Sequence, residues 1–180
     1  MGIATNRNWD EETSMIPNEI NNLTSLTSLV LYITGNCGNL FGNEFILKSV
    51  TNLVINCYSY ANIPDLFYYF PNLKYLRIRG FQCLPDVAFE SSFSKITKLE
   101  SLTLTSINLE ALPDSIKHLK RLRLIHFFNL PLKQLPVALI GELESLNVLN
   151  LNGNQELNLS VSDVKFLEKQ VKVFWYNKST

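Results

Sequence analysis

The chain has 180 residues, 46% of them apolar, with 16 Lys+Arg set against 16 Asp+Glu. That length suits one domain with a sizeable core. A formal charge of zero gives no electrostatic reason to expect DNA, RNA or an acidic membrane as partner.

The first segment, residues 1–15, is predicted to be a cap or a flexible tail. Met1-Gly2-Ile3-Ala4-Thr5-Asn6-Arg7 lacks the apolar stretch of a signal peptide. Asn6 stands where a myristoylation pattern needs Ser or Thr. No apolar run in the chain approaches the ~20 residues that cross a bilayer. Trp9 is placed to cover an open end of whatever core follows.

From residue 16 to 180 the chain repeats itself. Leu occurs 30 times, an excess that makes sense if one niche recurs. Ile16-Pro17-Asn18-Glu19-Ile20 leads through Leu23 and Leu26 to the pair Leu29/Leu31. Val50 precedes Leu53/Ile55, and Ile63-Pro64 opens a unit running through Leu73 to Leu76/Ile78. Leu84-Pro85 opens a longer fourth unit, where Phe89, Phe93 and Ile96 predict a fuller helix before Leu99 and Leu102/Leu104. Leu112-Pro113-Asp114-Ser115-Ile116 leads through Leu119 and Leu122 to Ile125/Phe127. Leu135-Pro136 leads through Leu146 to Leu149/Leu151, and Val171/Val173 reads as a last, capping strand. Steps between the first members of the seven pairs are 24, 23, 26, 23, 24 and 22, a mean of (171 − 29)/6 or about 24, inside the window of about 20–29 for one class of solenoid.

The spacing has a physical meaning. Residues two apart point to one side of a strand. Ile116, Leu119 and Leu122, three apart, line one side of a tight helical turn, and Pro suits the start of such a turn. One unit cannot bury its own leucines, whereas stacked units bury a continuous column.

This pattern resembles the leucine-rich-repeat family, in the class written LPxxIxxLxxLxxLxL, found in plant intracellular immune receptors, Ras-binding scaffolds and bacterial effectors. The resemblance implies an α/β solenoid, a horseshoe with a parallel β-sheet on the concave face and short helices or 3-10 turns on the convex face. It implies about six repeats and a C-terminal capping strand, with Phe174-Trp175-Tyr176 closing that end. The family places Asn or Cys three residues after the last strand leucine. Here only Asn154 fits, because the other repeats carry Thr34, Tyr58, Phe81, Ile107 and Leu130. Irregular loops after the strands are therefore expected.

Catalytic chemistry is hard to find. The three cysteines, Cys37, Cys57 and Cys83, lack CxxC spacing and read as reduced thiols in a cytoplasmic setting. Asn-x-Ser/Thr triplets at Asn22, Asn158 and Asn177 match chance, since 20 Asn and 25 Ser plus Thr give 20 × 25/180, about 2.8. His118 should lie on the helical side and His126 on the strand face, so the two cannot share a metal. Cys57 and Cys83 lie two or three repeats from His126, roughly 10–14 Å at strand spacing, too far for a dyad. No GxGxxG, Walker A or HExxH motif occurs. The expectation is a non-enzyme without metal or cofactor, binding neither nucleic acid nor membrane.

What remains is surface. The residues flanking each inward pair point away from the core. They are Ser28, Val30, Tyr32; Asn52, Val54, Asn56; Tyr75, Arg77, Arg79; Ser101, Thr103, Thr105; Leu124, His126, Phe128; Val148, Asn150, Asn152; then Lys172 and Phe174. Exposed aromatics mixed with Arg are the usual anchors of interfaces. Tyr32, Tyr75, Arg77, Arg79, Leu124, His126 and Phe128 are accordingly the predicted partner-binding residues, with the small Thr103 and Thr105 forming a saddle between the anchor groups. Six strand steps make a wall about 29 Å long. At some 300–400 Å² it falls short of the ~800 Å² each partner commonly buries, so loops near Cys37–Phe41, Cys57–Tyr60, Phe81–Cys83 and Asn129 should contribute. A basic cluster of Lys117, His118, Lys120, Arg121 and Arg123 on the helical side reads as a solvated face.

The expected function is protein–protein interaction, by an adaptor or an inhibitor of a partner that offers an acidic or polar group. The alternatives are a bacterial effector delivered into a host cell and the recognition part of a larger immune or signalling receptor. A monomer is expected.

Overall fold

A computed structural model describes residues 18–33, 46–58, 64–80 and 93–177. The period-two pairs form strands β1 (Ser28–Ile33), β2 (Asn52–Cys57), β3 (Tyr75–Gly80), β4 (Ser101–Thr105), β5 (Leu124–Phe128), β6 (Val148–Asn150) and β7 (Val173–Trp175). They make one open parallel sheet in sequence order, β1 to β7. All twelve members of the first six predicted pairs point inward, each no more than 2% exposed.

The period-three residues explain the other wall. At Ile116-Leu119-Leu122 the Leu119 N–H donates to the Ile116 carbonyl and the Leu122 N–H to that of Leu119. Ile140-Leu143-Leu146 and Phe67-Phe70-Leu73 repeat the scheme. Each i→i+3 bond turns the chain by one short 3-10 step and aims the next apolar group at the same column. Leu23 is the exception, 43% exposed in the first repeat, where no described repeat precedes it. Among the described residues, regular helix occurs at α1 (Val137–Gly141) and α2 (Val161–Gln170). A capping box starts α2: the Asp163 N–H donates to the Ser160 hydroxyl oxygen, and the Ser160 N–H to the Asp163 carboxylate.

Adjacent repeats are fixed in register where the strands begin. The carbonyl of Thr27 accepts from two successive N–H groups of the next repeat, those of Thr51 and Asn52. Thr51, Lys74, Glu100 and Arg123 do the same for the repeats that follow them, and Asn147 accepts from Val173 alone. Exposed ion pairs Lys74–Glu100, Lys120–Glu142 and Lys133–Glu110 also bridge neighbours, though pairs of this kind add little.

Two expectations are corrected. The loops after β4 to β6 are regular: Ser106, Asn129 and Gly153, at one register position, all have positive φ, of 51°, 55° and 79°, and the Asn129 amide donates to the Ser106 hydroxyl. A shared left-handed turn thus recurs after β4 and β5, where the family's Asn is absent, and after β6, where Asn154 supplies it. Of the fuller helix expected in the fourth repeat, the stretch 81–92 with Phe89 lies outside the described residues, and Phe93–Lys95 after it is a three-residue 3-10 turn. The last strand is one residue out of phase with the expected pair: Phe174 pairs with Leu149, so Phe174 takes the inward position while Val173 and Trp175 take the outward ones. The cause is a buried Val171 that still belongs to the end of α2, where its N–H donates to the Leu167 carbonyl. Tyr176 does help to close this end, stacking on Phe174 at 6.3 Å and donating its hydroxyl to the Leu157 carbonyl. The tail 1–15, Trp9, Cys37 and Cys83 lie outside the described residues.

Candidate functional site on the outward face of the sheet

Parallel pairing in register sorts the outward side chains into three rows across the strands. The first runs Ser28, Asn52, Tyr75, Ser101, Leu124, Val148, Val173. The second runs Val30, Val54, Arg77, Thr103, His126, Asn150, Trp175. The third runs Tyr32, Asn56, Arg79, Thr105, Phe128. Every predicted partner-binding residue is on this face. Tyr32, Tyr75, Arg77, Arg79 and Phe128 are exposed, and Leu124 and His126 are half-buried.

The charge pattern is one-sided. None of the seven strands contains Asp or Glu, and Arg77 and Arg79 are their only Lys or Arg residues. Neither arginine forms an ion pair among the described residues, whose three salt bridges all use lysines outside the strands. Two unneutralised guanidiniums on adjacent rows of one strand are a ready site for a carboxylate.

Aromatic groups flank them on both sides. Tyr32 stacks on Tyr58, with ring centroids 6.3 Å apart and planes 12° from parallel. Tyr58 is 68% exposed and extends the face beyond the strand ends. On the other side stand Phe128, 50% exposed, and Trp175, 45% exposed. Trp175 meets His126 edge-to-face at 6.3 Å. Burial first, and then the Arg77 charge, hold the imidazole below its ordinary pKa. His126 Nε2 and Asn152 Oδ1 are enclosed without hydrogen-bond partners, so this corner of the face carries unspent hydrogen-bonding capacity.

Two contributors escaped the list drawn from the sequence. Trp175 did so because the last strand was phased wrongly. Its signal was present in Ser160-Val161-Ser162-Asp163, a capping-box pattern that marks a helix and shifts the strand after it. Tyr58 fell only within a loop range, because a residue just past a strand has no period to orient it.

Catalytic arrangements do not form among the described residues. Cys57 is buried on the inward side of β2 while His126 is on the outward face, and no group of three His, Cys, Asp or Glu is placed to hold a metal. Among the described residues no helix is long and apolar enough to cross a membrane. In the basic cluster of the helical side, Lys120 pairs with Glu142 while His118, Arg121 and Arg123 are simply exposed.

No protein-family model matches the chain, and no curated protein matches it in sequence. Solved structures do. A leucine-rich-repeat protein of Leptospira interrogans superimposes with a TM-score of 0.68 at 23% identity, over 92% of this chain and 40% of that one. The Arabidopsis receptor kinase HAESA, solved with a peptide hormone and a co-receptor, gives 0.62 at 23% identity, over 91% and 32%. The leucine-rich-repeat ectodomain of the Arabidopsis thaliana receptor kinase GASSHO1/SCHENGEN3, solved with Casparian strip integrity factor 2, gives 0.51 at 23% identity, over 91% and 20%. The chain thus has the leucine-rich-repeat fold, and it spans well under half the length of each of these proteins.

Proposed function

We propose that this chain is a protein-interaction module that captures an acidic segment of a partner on the outward face of its sheet. One observation carries the reading: a sheet face without a single strand carboxylate displays two unpaired arginines between exposed aromatic groups. Desolvated aromatic area beside a charge-assisted hydrogen bond is the usual composition of a binding hot spot. HAESA and GASSHO1/SCHENGEN3, which share the fold, were each solved with a peptide or protein partner, which supports the same use here.

Within this reading the module is an adaptor or an inhibitor that works by occupying its partner. A bacterial effector would use the same face on a host protein. The proposed setting is the cytoplasm, its own or a host's, because three cysteines without CxxC spacing read as reduced thiols.

The test is affinity capture with quantitative mass spectrometry, using the wild-type chain and single variants. Arg77→Ala and Phe128→Ala should each weaken capture of the partner by about 2 kcal/mol, roughly 30-fold in Kd, with folding unchanged. Lys117→Ala, on the helical side, should leave capture intact. The opposite pattern would move the site to the helical side and end this proposal.

A further inference from the structure

The third row is symmetric about Arg79. Arg79 lies on β3, Tyr32 two strands to one side and Phe128 two strands to the other, all in one register line. The intervening residues, Asn56 and Thr105, are shorter and only partly exposed. The anchors are therefore aromatic, cation, aromatic, at intervals of two strand spacings, about 9.6 Å each.

An occupant lying across the strands must present its own groups at that interval and on one side. A β-strand does not: its same-side residues recur every ~6.7 Å, and the third residue on, at about 10 Å, points away. An α-helix fits the length poorly, since 9.6 Å is more than six of its residues at about 1.5 Å each and nearly two full turns. A polyproline II segment does fit. It has three residues per turn and a rise of ~3.1 Å, so residues i and i+3 lie on one side about 9.3 Å apart. Over both intervals the mismatch is only about 0.6 Å. Its backbone N–H and C=O groups make no internal bonds, which leaves them open to the Asn56 and Thr105 side chains beneath.

We infer that the occupant is an extended, polyproline II-type peptide segment with an acidic residue at its centre and apolar residues three positions before and three after it. Tyr32, with Tyr58 stacked on it, takes one apolar residue, Arg79 the carboxylate, and Phe128 the other apolar residue. Arg77, one row over, reinforces the charge. This inference rests on the face being the binding site, and it adds the spacing and conformation of what binds.

A randomised twelve-residue phage-displayed peptide library selected on the whole chain tests it, followed by fluorescence-polarisation titration of the synthesised winners. Enrichment of an apolar residue, two free positions, Asp or Glu, two free positions and a second apolar residue is expected. Arg79→Ala and Phe128→Ala should each then weaken the winners at least about tenfold, with unchanged circular dichroism. Winners that need Arg79 and Phe128 but have a spacing of two or four, or no acidic residue, would overturn the inference while leaving the binding face standing. Winners indifferent to both substitutions, or no enrichment at all, would overturn both.

Discussion

At the scale of single residues, His126 and Asn154 show how the same solenoid handles polar groups on its two sides. His126 is held below the ordinary imidazole pKa by burial and by Arg77. Unfolding returns it to about 6.5. Its contribution to stability is thus fully present above that pH, and is lost as pH falls through the depressed folded value. Arg77→Ala should raise the His126 titration midpoint measured by NMR; a midpoint that stays put would show that the two charges do not interact. His126→Gln should flatten the stability profile as pH falls below about 6.5. Asn154, inward and 2% exposed, accepts from the Leu130 N–H and donates to the Phe127 and Leu151 carbonyls. Asn154→Ala would orphan all three backbone groups, and should cost at least about 1–3 kcal/mol in a denaturant titration. Asn154 was readable in the sequence because its role depends on a fixed offset from Leu151. The environment of His126 was not, because Trp175 reaches it from two strands away.

At the scale of elements, the strands were readable wherever a period of two followed a period of three. Both rhythms are set by local backbone geometry, and the Leu-x-Leu pairs of β1 to β6 obey it. The last strand broke the reading because α2 is a ten-residue helix where the other described convex elements run three to six residues. A helix advances ~1.5 Å per residue and a 3-10 turn ~2.0 Å, so the chain re-enters the sheet at a different residue. The turns after the strands were unreadable for another reason: Ser106 and Asn129 adopt a left-handed conformation that neither residue type demands. The same helix offers a test. Ser160→Ala removes the capping hydroxyl and should cost about 0.5–2 kcal/mol. Hydrogen exchange should show that loss concentrated in residues 161–177, and equal acceleration around β1 would contradict the assignment.

Across the whole molecule, stability is a column shared between neighbours rather than a property of any one repeat. Leu102, Leu122 and Leu149 are fully buried in it. Changing any one of them to Ala should cost about 2–5 kcal/mol in a urea titration, and a loss below about 1 kcal/mol would mean that the column does not bear on folding as described. The doubly accepting carbonyls of Thr51, Lys74, Glu100 and Arg123 have a consequence for how such a chain can change. They lock each repeat to its neighbour, so the interval between two anchors on the face is quantised in steps of ~4.8 Å. One step is about one and a half residues of a ligand rising ~3.1 Å per residue, which throws its side chains out of phase; two steps restore it. Loss of a single repeat between Arg79 and Phe128 should therefore abolish recognition of the old partner, while gain of two should only lengthen the motif by three residues. Repeats inside the ruler should come and go in pairs, whereas those beyond Tyr32 or Phe128 are free to change one at a time.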